Sequence, residues 1–130
     1  MDESHCRHLI EHYLQAYNCF DIDSMLAVLA VLAHNVRFEN HSGSQLTMVT
    51  EGIDAFGELA RQSAPLFRER EQRLLELTFE DGMALASIGW RGVFAQDVPG
   101  GPSAGSELAL KGRSEFAFED GRIVRIIDRS

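Results

Sequence analysis

At 130 residues, with a formal charge of −8 from 12 basic and 20 acidic side chains, the chain has the size of one domain, and residues 1–130 are read as a single unit. Phosphate neutralisation needs a basic surface, so no nucleic-acid partner is expected. Hydrophobic residues make up 45%, and no apolar run approaches the roughly 18 residues that span a bilayer, so neither disorder nor membrane insertion is expected.

Met1 is followed by Asp2, Glu3 and Ser4 rather than by the basic and then apolar pattern of a secretory signal. A cytoplasmic location is therefore expected. A first helix is predicted from about Ser4 to Cys19, because Leu9, Ile10, Tyr13, Leu14 and Tyr17 form one apolar stripe. Cys6 and Cys19 lie too far apart along that helix, at ~1.5 Å of rise per residue, to form a disulfide. They are read as reduced thiols. His5, His8 and His12 border the apolar stripe. No further ligands accompany them, and structural metal sites want about four. They are read as a solvated edge, and no metal is assigned.

Asp23 is a good N-cap for a second helix, Met25 to about Ala33, in which Val28-Leu29-Ala30 is repeated as Val31-Leu32-Ala33. Val36 to His41 reads as a strand, Gly43-Ser44 as a turn, and Leu46 to Thr50 as a pairing or extending strand. A third helix is predicted from Ile53 to about Ser63, ended by Pro65. Strands follow at Gln72 to Phe79 and Met83 to Gln96, around an Asp81-Gly82 turn. The loop from Val98 to Ser106 is rich in glycine and proline and is read as a hairpin connection or lid. It contains Gly101-Pro102-Ser103-Ala104-Gly105, a G-x-S-x-G match. A nucleophile elbow needs a strand before it, a helix after it and a later histidine. Here a strand follows and every histidine precedes Ser42, so the match is rejected. The chain ends in alternating strands around Asp120-Gly121, a strong hairpin signal.

Helices early and strands late predict an α+β fold: a cone-shaped, strongly curved antiparallel sheet wrapped around three helices of the N-terminal half. The order of elements, with Tyr13-Leu14-Gln15-Ala16-Tyr17-Asn18, Asp21-Ile22-Asp23-Ser24-Met25-Leu26, Val36-Arg37-Phe38-Glu39-Asn40 and Gly112-Arg113-Ser114-Glu115-Phe116, resembles the nuclear transport factor 2-like superfamily. Ketosteroid isomerases and SnoaL-like polyketide cyclases belong to it. The resemblance implies a deep apolar pocket at the open end of the cone and a homodimer through the outer face of the sheet.

The resemblance also implies site residues. Tyr13 matches the isomerases' oxyanion-donating tyrosine. Their aspartate base aligns on Asn40 when the extra Val-Leu-Ala turn is skipped, but a neutral amide cannot accept a substrate proton. Their protonated acid aligns on Ser114, a weaker hydrogen-bond donor. Strand alternation then groups Phe38 with Asn40, and Phe116 and Phe118 with Ser114, as ligand-binding candidates. On the Met83 strand the alignment favours the face of Arg91 as inner. That leaves Trp90 and its face for the dimer interface. Asp128 shares a face with Val124 and Ile126, and in an apolar pocket its pKa would rise toward neutral, making it a base. His41, at the end of its strand, is the imidazole candidate for proton transfer.

No dinucleotide or phosphate fingerprint is present, so no cofactor is assigned. The expected function is binding of a small, mostly apolar molecule. Catalysis by Tyr13, Asp128 or His41 would make the protein a cofactor-free isomerase, cyclase or dehydratase. The competing class is a non-enzymatic ligand-sensing or protein-assembly subunit.

Overall fold

A computed structural model describes residues 2–19 and 30–130. Helix α1 spans Glu3–Cys19. The Asp2 carboxylate caps it by accepting from the His5 backbone N–H at 2.8 Å. Its buried stripe is Cys6, Leu9, Ile10, Tyr13, Leu14 and Ala16, the 3.6-residue period expected of a helix on a core. Cys6 is a free, buried thiol.

The second predicted helix falls largely outside the described residues. Of its final residues, Ala30 and Val31 are helical, whereas Leu32 and Ala33 already belong to strand β1, Leu32–Ser42. Pairing overrides the helical pattern there. Leu32 lies beside Ile123 in the sheet and is buried at 1% exposure. Strand β2 is Gln45–Glu51, and helix α2 is Ile53–Ser63, followed by a short turn of 3-10 helix containing Pro65. Strands β3 (Phe67–Glu80), β4 (Met83–Phe94), β5 (Glu107–Glu119) and β6 (Arg122–Arg129) complete the chain. The β3–β4 and β5–β6 hairpins turn through left-handed pairs, Asp81-Gly82 and Asp120-Gly121, the φ > 0 geometry that matches strand twist.

The six strands form one open sheet in the order β2-β1-β6-β5-β4-β3. Four pairings are antiparallel. The exception is β1 with β6, which run parallel because the last strand inserts beside the first. Register shifts at Asn40/His41, Leu74/Glu76 and Ala117/Phe118 add local twist and bend the sheet. The concave face carries Val36, Ala84, Ala86, Ile88, Phe116, Ile123 and Ile126, packed in one core with residues of α1 and α2. The edge strand β3 is tied to α1 by Asn18. Its amide donates to the Gln72 carbonyl at 3.0 Å and accepts from the Gln72 N–H at 2.7 Å. That capping removes one open position from a sheet edge.

The convex face is ionic around β1 and β6. The buried Glu39 carboxylate accepts from Arg37 at 2.9 Å and Arg125 at 2.8 Å, and His41 Nε2 lies 3.0 Å away. The Arg37 hydrogen bond, then those of His41 and Arg125, hold the Glu39 carboxyl at about 2, below its ordinary 4.5. The folded state therefore resists a proton that the unfolded chain takes up, and this stability is lost as pH falls from 4.5 toward 2. Glu39→Gln is expected to cost roughly 1–3 kcal/mol at pH 7. Urea unfolding at pH 7 and pH 3 checks this: the gap between the variant and wild type should narrow at the lower pH.

Candidate functional site

The register of the sheet assembles the site. Asn40 pairs with Asp128, Asp128 with Ser114, and Ser114 with Ala86, which makes one row across β1, β6, β5 and β4. Two residues along each strand, Phe38, Ile126, Phe116 and Ala84 form the next row on the same face. The second row is the floor. Ile126, Phe116 and Ala84 are fully buried, and Phe116 meets Tyr13 edge-on at 6.1 Å. The first row lies nearer the open end and supplies the polar groups.

Between this face and the helices lies a cavity of about 510 Å³, a size typical of small-molecule sites. Six aromatic side chains line it: Tyr13, Tyr17, Phe38, Phe56, Phe67 and Trp90. Its polar side chains include Asn40, Arg70, Gln72, Ser114 and Asp128. The Ser114 hydroxyl donates to Asp128 Oδ1 at 2.7 Å. Burial pushes the Asp128 carboxyl up to about 6, against the opposing hydrogen bond from Ser114. Burial, and then the Asp128 charge, push the Tyr13 phenol well above its ordinary 10, so it remains a donor at any working pH. The Asn40 amide donates to Thr47 Oγ1 at 2.8 Å, and the Thr47 hydroxyl returns a bond to the Asn40 carbonyl at 3.0 Å. That exchange ties the amide to β2.

The structure thus brings Tyr13, Phe38, Asn40, Ser114 and Asp128 to one cavity. It places the other candidates elsewhere. Arg91 is on the convex face, where it donates to Glu107 at 2.7 Å and Glu69 at 3.4 Å. This corrects its reading as a pocket residue, because an arginine solvated and paired outside avoids the desolvation cost of the cavity. Trp90 faces inward instead and donates from Nε1 to the Tyr17 hydroxyl at 3.0 Å. An interface on the outer face would therefore not contain its side chain. His41 stands on the side of Glu39, opposite Asn40, and does not line the cavity. Phe116 is core rather than wall, and Phe118 packs against that core near the hairpin end. The loop from Val98 to Ser106 does not border the cavity. It closes on itself and on Phe94 through Val98–Pro102 and Gly105–Phe94 backbone bonds of 2.9 and 2.7 Å.

Sequence reasoning missed Tyr17, Arg70 and Trp90. Arg70 is buried and stacks over the Tyr17 ring, with Cζ 3.9 Å from its centroid, a cation–π arrangement. A signal for Trp90 existed: Ala84, Ala86, Ile88 and Trp90 alternate as the one apolar face of their strand, which by itself marks the buried side. Arg70 gave none, lying in a run of alternating arginine and glutamate, Arg68 to Arg73, that reads as a solvated face.

The chain matches structures that share this fold. A candidate polyketide cyclase from Xanthomonas campestris is 24% identical, with a TM-score of 0.81 over 98% of this chain and 90% of that one. A candidate SnoaL-like polyketide cyclase from Jannaschia is 14% identical, with a TM-score of 0.81 over 97% and 85%. An LEH-like epoxide hydrolase from M. tuberculosis is 16% identical, with a TM-score of 0.75 over 97% and 82%. At these identities the likeness is one of fold. Among curated proteins none matches. The profile of the SnoaL-like domain matches residues 10–126, and the chain belongs to that family, within the nuclear transport factor 2-like superfamily.

Proposed function

We propose that the protein binds a small, mostly apolar carbonyl compound and moves a proton on it without a cofactor, as an isomerase, cyclase or dehydratase does. One observation carries this reading: a carboxyl with a pKa of about 6, hydrogen-bonded by Ser114, stands in the wall of a large aromatic cavity. A base works best when its pKa lies near the working pH. In this reading Asp128 takes the proton from the carbon next to the carbonyl. The electron pair of the broken C–H bond moves to the carbonyl oxygen, and Tyr13 donates a hydrogen bond to the resulting enolate. Asp128 then returns the proton to carbon. The description of two structural relatives as candidate polyketide cyclases supports the reaction class.

The test is exchange of α-protons of 1-indanone and 2-tetralone in D₂O, followed by NMR. Wild-type protein should accelerate exchange. The rate should rise with pH through about 6 and then level, because only the ionised Asp128 accepts a proton. Asp128→Asn should lose at least ~100-fold, and Tyr13→Phe roughly 10- to 100-fold. Retained binding with no exchange in wild type would instead identify a ligand sensor.

A further inference from the structure

Gly92 sits two residues beyond Trp90 on β4, on the same face of the sheet. A Cβ at position 92 would lie 2.5 Å from Trp90 Cη2, 2.9 Å from Cζ2 and 3.1 Å from Phe67 Cδ1. The indole therefore lies back along its own strand, over a backbone position that only glycine leaves open. Its Nε1 edge is fixed by the hydrogen bond to the Tyr17 hydroxyl at 3.0 Å. Its flank is fixed by Phe67, edge-on at 5.4 Å between centroids. Three aromatic rings are thereby locked at one end of the cavity, on strands β3 and β4 and the last turn of α1, away from the row of Asn40, Asp128 and Ser114.

We propose that this end is a ring-stacking subsite, opened by Gly92, that takes a flat unsaturated ring of the ligand. The proposal rests on the ligand-binding reading and adds to it the chemical class of the far end of the ligand. Rigid aromatic walls favour a planar ring over a puckered one, because only the planar ring makes offset or edge contacts along its whole face. Any side chain at position 92 drives the free edge of the indole off the strand and into the slot.

The test uses Gly92→Ala with three probes, phenol, 2-naphthol and cyclohexanone, measured by calorimetry, together with the ¹H–¹⁵N indole resonance. Trp90 is the only tryptophan, so that resonance needs no assignment. In the variant the resonance should move. The affinity for 2-naphthol should fall at least ~10-fold while that for phenol stays within ~3-fold. An unmoved resonance with unchanged affinities overturns the proposal, as does an equal loss for phenol and 2-naphthol. Wild-type binding of cyclohexanone but of neither aromatic probe overturns the subsite alone, whereas binding of none of the three overturns the ligand-binding reading as well. Should Gly92→Ala fail to fold, the double variant with Trp90→Val is expected to fold because the clashing ring is gone. A double variant that also fails overturns the role given to Gly92.

Discussion

Asp128→Asn should be more stable than wild type at pH 7, by about 1–3 kcal/mol, while losing any proton-transfer activity. Burial raises the Asp128 carboxyl from an ordinary 3.8 to about 6 in the folded protein. Between those values the folded state holds a proton that the unfolded chain has released. Stability therefore falls as pH rises through that window, and the deficit is complete above it. Asparagine is neutral at every pH and keeps an oxygen to accept the Ser114 hydroxyl. The advantage of the variant should shrink as pH drops and vanish below about 4, where both states of the wild type are protonated. Urea unfolding of both proteins at pH 7, 5.5 and 4 reads this directly. A variant less stable than wild type at pH 7, or an advantage that ignores pH, would contradict the assignment. A group that weakens the fold where it stands is one mark of a site kept for function rather than for packing.

Phe116→Ala should be the most damaging core change near the site, at about 3–5 kcal/mol. Phe116 has no exposed surface, sits between Ile126 and Ala84 in the sheet, and supports the ring of Tyr13 edge-on. Removing it opens a void under Tyr13, which cannot collapse without moving α1. Phe118→Ala, beside the hairpin end and only partly buried, should cost less, about 1–2 kcal/mol. Chemical denaturation of the two variants separates these roles, and equal losses would show that Phe116 is wall rather than floor.

Much of the fold was legible in the sequence because its signals are local. The Asp-Gly turns require φ > 0, and both sit where the hairpins turn. The stripe of α1 and the extent of α2 follow from periodicity and from Pro65. The start of β1 was not legible, because Leu32 and Ala33 continue a helical pattern and become strand only through pairing with β6. That parallel pairing is set by the tertiary fold, which no local pattern encodes.

The site divided in the same way. Ser114 was found by the family resemblance and Asp128 by alternation, on two strands of one hairpin, and the register makes them neighbours. Asn40 and Tyr13 came with the family resemblance. Arg91 and Trp90 were exchanged because an aligned position was given more weight than the plain apolar alternation of β4. His41 failed for a one-residue reason: beside the inward Asn40 it must point outward, where Glu39 receives it.

The most direct test of the role given to Asp128 is its own titration. The ¹³C resonance of its side-chain carboxyl, followed from pH 3 to pH 8 in the wild-type protein, should shift with a midpoint near 6. A midpoint near the ordinary 3.8 would mean a solvated carboxylate with no special basicity and would contradict a proton-transfer site at Asp128.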